Sequence, residues 1–150
     1  MIVKDSITAN SQKTTFDQQA SSFDKRAGLD ETTCQEIVKT VMNLSKIKPN
    51  DILVEIGAGT GQIGQWFIQE SLQYIGFDLS AKMLAQFQAR LSSDQLNHHN
   101  WQLFQSDADQ TWSIEDNTAK VIFSSRTIHR LNLEHIVNES LRIADPKGCI

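Results

Sequence analysis

Residues 52–64 read Ile-Leu-Val-Glu-Ile-Gly-Ala-Gly-Thr-Gly-Gln-Ile-Gly. The short apolar run at the start, rich in β-branched residues, predicts a buried strand over 52–56. The glycines then break it ahead of a segment, 62–70, that carries Ile63, Trp66 and Phe67 at helical spacing. Glycines at such a junction let the backbone turn sharply and approach a ligand with no side chain in the way. The helix N-terminus beyond offers free N–H groups and a positive dipole end, suited to a carboxylate or a phosphate.

The rest of the chain continues this alternation. Upstream, Cys34, Ile37, Val38, Val41 and Met42 follow the i, i+3, i+4, i+7, i+8 pattern of an amphipathic helix over 30–45, which Pro49-Asn50-Asp51 ends. Tyr74-Ile75-Gly76-Phe77 reads as a second strand ending at Asp78, and Ser80 as the N-cap of a helix that turns Met83, Leu84, Phe87 and Leu91 to one side. After a polar loop over 92–100, Trp101-Gln102-Leu103-Phe104-Gln105 is a third strand ending at Asp107, and Lys120-Val121-Ile122-Phe123 a fourth. Asn132 caps a further helix, expected to turn Leu133, Ile136, Val137, Leu141 and Ala144 inward. Pro146-Lys147-Gly148 reads as a turn, and Cys149-Ile150 as the first step of a fifth strand. Strand and helix in alternation imply right-handed crossovers and a parallel sheet covered on both faces, an α/β, doubly wound architecture. Residues 1–15 are polar and read as a weakly ordered lead, with one domain over 16–150. Because the fifth strand only begins at the last residues, the chain is expected to be shortened at its C-terminus relative to its fold. That would leave an open sheet edge, a possible homodimer surface.

Bulk properties narrow the partners. A length of 150 residues fits one domain, able to bury roughly two thirds of its unfolded surface. A net charge of −4 argues against nucleic acid or an anionic membrane as partner. No apolar run approaches the roughly 20 residues that span a bilayer, and the polar N-terminus lacks a signal-peptide core. Cys34 and Cys149 are too few and too far apart for a metal motif, and His98 and His99 lie in the polar loop, so no metal site is expected. Cys34 reads as a small core residue, and a reduced, cytoplasmic setting is expected.

Two cofactor classes compete for the glycine loop. Dinucleotide binders use G-x-G-x-x-G close behind the strand. Counted from Gly57, the third glycine position is Gln62. Gly59, Gly61 and Gly64 do match, but two residues late. The alternative pattern, an acidic residue at the strand end followed by G-x-G-x-G, is met in full by Glu55, Gly57, Gly59 and Gly61. Asp78, about 20 residues on at the end of the second strand, can accept both hydroxyls of a ribose, which either class requires. Ser106-Asp107-Ala108-Asp109 follows the third strand. The plain reading of Asp107 is an Asx turn.

Together these markers resemble the class I S-adenosylmethionine-dependent methyltransferases. For Asp107 that resemblance implies contact with an adenine amino group, with Asp109 as its rival. The segment Val121-Ile122-Phe123-Ser124-Ser125-Arg126-Thr127-Ile128-His129 resembles that family's stretch after strand four. Leu141-Arg142-Ile143-Ala144-Asp145-Pro146-Lys147-Gly148 is similar to its helix and turn before strand five, with Lys147 where a glycine is usual. The opening from Phe16 to Arg26 is similar to small-molecule members acting in quinone or biotin biosynthesis, in which aromatics close over the cofactor. The resemblance implies a Rossmann-like, mostly parallel sheet of order 3-2-1-4 with the start of 5. It implies S-adenosylmethionine as cofactor and S-adenosylhomocysteine as product. The cofactor-binding residues so implied are Arg26, Glu55, Gly57, Ala58, Gly59, Gly61, Asp78, Leu79, Met83, Asp107, Ala108 and Ser124, with His129 as a candidate base. The activity implied is methyl transfer to a small molecule. The alternatives are a binding-only or partner-dependent chain, and a dinucleotide-dependent oxidoreductase.

Overall fold

Leu53, Val54, Glu55 and Ile56 are all buried because β1 (Ile52–Ile56) is the central strand of its sheet, covered on both faces. In the computed structural model, which describes residues 13–93 and 100–149, the sheet has five strands in the order β3-β2-β1-β4-β5. β2 (Gln73–Asp78) and β4 (Ala119–Ser124) flank β1, and β3 (Trp101–Gln105) and β5 (Ala144–Cys149) form the edges. All four pairings are parallel. Neighbouring side chains of a strand point to opposite faces, and this divides the core in two. Leu53 and Tyr74 meet Cys34, Val38, Phe67, Phe87 and Leu91 from α3 (Glu31–Ser45), α4 (Gly64–Ile68) and α5 (Ala81–Ser93). Val54, Ile56 and Phe77 meet Trp112, Ile136 and Ile143 on the other face, where α6 (Leu133–Ile143) lies.

The helix caps follow the local chemistry. Asp30 accepts a hydrogen bond from the Thr33 N–H, Ser80 Oγ accepts one from the Met83 N–H, and Asn132 Oδ1 accepts one from the His135 N–H.

Two expectations change. α6 does not turn Leu133, Val137 and Leu141 inward. They are 62%, 47% and 63% exposed, and the buried residues of the helix are Ile136, Glu139, Ser140 and Ile143. A polar clasp fixes that rotation. Glu139 accepts the Trp112 N–H and pairs with Arg142, whose guanidinium also donates to the carbonyls of Trp112 and Ile114 and to Asp116. The fifth strand also begins earlier than expected. Ala144 leaves the helix and pairs with Ala119, yet Cys149 pairs with Val121, so the strand bulges across 145–148. Gly148 sits in that bulge against the carbonyls of Ala119, Lys120 and Asp145, and Lys120 forms an ion pair with Asp145.

The expected lead over 1–15 falls mostly outside the described residues, but 13–15 already belong to a helix, α1, over 13–19. A 3-10 turn, Ala20–Ser22, joins it to α2 (Phe23–Ala27). The loop expected over 92–100, with His98 and His99, also lies largely outside the described residues. Among the described residues, no helix is long and apolar enough to cross a membrane.

Candidate functional site

The strand order reverses at β1, and a crevice opens there at the carboxyl ends of the strands, where open α/β sheets bind ligands. Its cavity, about 330 Å³, is closed on the far side by Phe16 of α1 and Phe23 of α2.

The floor is the glycine loop. Gly57, Gly59 and Gly61 all take positive φ, at 73°, 56° and 79°. A Cβ at Gly61 would lie 2.0 Å from the Phe87 ring, so Gly61 lets the loop press onto α5. At Gly59 a Cβ would meet only the Gly57 carbonyl, 4.0 Å away, and would stand in open space. Gly61 thus belongs to packing and Gly59 to the cavity wall.

Asp78 holds this loop in place. Its Oδ2 accepts the Gly59 N–H and its Oδ1 the Ser80 N–H, both at 2.9 Å. Burial raises its carboxyl above the usual range, against the lowering effect of these two N–H groups. One strand over, Asp107 Oδ1 accepts the Asp109 N–H in an Asx turn, and Asp107 also lines the cavity. Asp109 is occupied elsewhere, accepting the Asn132 N–H.

Glu55 lies beneath the loop and is only 3% exposed. Tyr74 Oη donates to its Oε2 at 2.6 Å, and Gly64 and Gly76 leave room for the pair. Burial pushes the Glu55 carboxyl up to about 8, with the Tyr74 hydrogen bond pulling the other way. The folded chain therefore holds a proton that the unfolded chain, near the ordinary value of 4.5, releases. This contribution to stability is full below the unfolded value and is lost as pH rises through about 8. Urea midpoints measured at about pH 5 and about pH 8 are expected to fall with pH more in the native chain than in Glu55→Gln. Equal slopes would mean that the carboxyl is not neutral in the fold.

Of the expected site residues, the cavity gathers Glu55, Gly57, Ala58, Gly59, Asp78, Leu79, Met83, Asp107, Ala108 and His129. Three stand outside its wall. Gly61 is packed as above. Ser124 Oγ donates to the Ile56 carbonyl and ties β4 to β1, and it is Ser125 that faces the cavity. Arg26 is exposed in the last turn of α2, and the arginines of the wall are Arg126 and Arg130. The 3-10 turn Ile128–Arg130 carries His129 and Arg130.

The helices over the cavity are latched by polar contacts that motif reading did not reveal. Ser80 Oγ donates to Asp17. Asp24 accepts from Thr60 and Gln62 and pairs with Arg90. Arg126 donates to the Ala27 carbonyl and to Gln62, and lies over the Phe23 ring. The only sequence trace of this latch is the pair of phenylalanines, Phe16 and Phe23, seven residues apart.

A doubly wound parallel sheet with a glycine cradle at its switch point and an acidic residue at the end of the next strand defines a nucleotide-cofactor-binding α/β protein. Residues 53–148 match the Methyltransferase domain family. The chain belongs to that family. The match favours the methyltransferase reading of the glycine spacing over the dinucleotide one. The fold is shared with a proposed S-adenosyl-L-methionine-dependent methyltransferase from Methanococcus maripaludis, at 20% identity and a TM-score of 0.72, over 94% of this chain and 61% of that one. It is also shared with the [4+2]-cyclase SpnF, at 16% identity and TM-score 0.79, over 92% of this chain and 57% of the other. A third is phosphoethanolamine N-methyltransferase 1 of Haemonchus contortus, in complex with phosphoethanolamine and S-adenosylhomocysteine, at 18% identity and TM-score 0.67, over 91% and 29%. This chain therefore spans about three fifths or less of the length of these neighbours. No curated protein matches it in sequence.

Proposed function

We propose that the cavity under α1 and α2 holds S-adenosylmethionine and that the protein transfers its methyl group to a small-molecule acceptor. The observation that carries this reading is the Asp78 carboxylate at the end of β2, bonded to Gly59 of the cradle and facing the cavity. Asp78 takes the ribose hydroxyls, and Asp107 with Ala108 meets the adenine. Gly57, Ala58 and Gly59 carry the amino-acid tail, while Leu79 and Met83 flank the adenosine. Glu55 braces the loop from below. When bound, the cofactor supplies a methyl group on a sulfonium. That methyl would pass to an acceptor lone pair, and a base would be needed only for an acceptor that must lose a proton. The chain's own task is alignment and exclusion of water. Phe16 and Phe23 close the cavity, and His129 is the candidate base for an acceptor that must lose a proton. The free, buried Cys34 suits a reducing, cytoplasmic setting.

SpnF shares the fold under the name of a cyclase, which supports a second reading, a chain that binds the cofactor without transferring its methyl group. Calorimetric titration with S-adenosylhomocysteine, with NAD as control, tests the cofactor site. Binding of the first alone is expected. Binding of NAD alone, or of neither by a folded sample, would overturn the proposal. Turnover then separates the two readings.

A further inference from the structure

We propose that the methyl acceptor is an organic anion with an apolar body, and that Arg130 at the cavity wall reads its charge. The inference rests on the cofactor placement above. With adenine over β3, ribose over β2 and the tail over β1, the wall left for the acceptor is the segment after β4, together with the two phenylalanines of the overlying helices.

That wall is cationic. Its acids, Glu55, Asp78 and Asp107, lie toward β1 to β3, and Arg126 and Arg130 lie after β4. The two arginines are not equivalent. Arg126 spends its donors on the Ala27 carbonyl and Gln62, which latches the lead helices. Arg130 lies with its guanidinium carbon 5.3 Å from the Phe16 ring centre, and its Nε donates to His129 Nε2 at 3.3 Å. Among the described residues its two terminal nitrogens have no carboxylate partner. A guanidinium on a cavity wall, braced by a ring and a histidine and with both terminal nitrogens unpaired among the described residues, is arranged for bidentate recognition of a carboxylate or phosphate. Phe16 supplies an apolar face beside it.

Charge balance points the same way. Glu55 is held neutral by burial, so Asp78 and Asp107 offset the two guanidiniums. The cofactor brings one net positive charge, from its sulfonium. An anionic acceptor balances that charge beside Arg130, which is exposed on the cavity wall.

The test uses the whole chain saturated with S-adenosylhomocysteine and two probes of one shape, 3-phenylpropanoate and 3-phenylpropanamide, titrated by NMR. The carboxylate is expected to bind about tenfold or more tightly than the amide, the usual worth of a charge-assisted pair. In Arg130→Ala that preference should vanish while S-adenosylhomocysteine affinity, the control for folding, stays within about threefold. Arg130→Lys should keep part of the preference, since the charge remains and the fork is lost. Equal binding of the two probes, no binding of the carboxylate, or a preference that survives in Arg130→Ala would overturn the proposal. So would loss of S-adenosylhomocysteine affinity in Arg130→Ala, which would give the arginine to the cofactor or the fold. Failure of the native chain to bind S-adenosylhomocysteine is a separate result that removes the cofactor reading itself.

Discussion

Asp78→Asn is expected to lower the affinity for S-adenosylhomocysteine about 100-fold, the worth of two hydrogen bonds to a charged acceptor. The substitution keeps the shape of the side chain but replaces one carboxylate oxygen with an N–H donor. Both oxygens are already in use, one by the Gly59 N–H and one by the Ser80 N–H. Whichever way the amide turns, a donor faces a donor. The variant therefore loses an acceptor for the ribose and also loosens the cradle from the end of β2. Asp78→Ala should bind no better, and NAD should bind neither variant. Calorimetry gives the affinity, and a thermal melt reports the loosened loop separately. An Asp78→Asn chain that binds S-adenosylhomocysteine as tightly as the native one would remove Asp78 from the site.

The two glycines at the centre of the loop should respond in opposite ways to the same added methyl group. Gly61→Ala drives a Cβ into the buried ring of Phe87 at a φ of 79°. Left-handed strain of roughly 1–2 kcal/mol and overpacking of about 1–3 kcal/mol add to a loss of about 2–5 kcal/mol. For a domain of this size that lowers the melting temperature by about 5–15 °C. Gly59→Ala carries the strain alone, because its Cβ meets no packed atom closer than 4.0 Å. It should melt within a few degrees of the native chain, yet its methyl group stands in the cavity and should abolish ligand binding. Equal melting temperatures for the two variants would contradict the division of the loop into a packed half and an open half.

The parts of the molecule that could be read from its sequence are those set by local pattern. β1 to β4, α3 and α5 follow from apolar periodicity. Glu55, Gly57, Gly59, Asp78 and Asp107 follow from their places at strand ends. What escaped depends on contacts between distant residues. In α6 the apolar residues occupy two stripes, and periodicity alone cannot say which faces the sheet. The choice falls to Glu139, through its bonds to Trp112 and Arg142. The early start of β5 depends on a bulge that Gly148 and the Lys120–Asp145 pair accommodate, while the residues themselves spell a turn. Arg126 and Arg130 enter the wall because a turn after β4 carries them there, whereas Arg26 is swung outward at the end of a short helix.

The fastening of the two lead helices has a kinetic consequence. Asp17, Asp24, Arg126 and their partners each find water when the segment lifts, so opening exchanges one set of hydrogen bonds for another. Links of this kind contribute about 1 kcal/mol or less apiece, and Phe16, Phe23 and the buried Ala20 surrender apolar contact. A ligand of the cavity's full size can then enter and leave without the sheet coming apart. Ionic strength is expected to shorten its residence time by weakening the pair of Asp24 and Arg90. Added salt should hasten the departure of spent product, and turnover limited by that departure would rise with it.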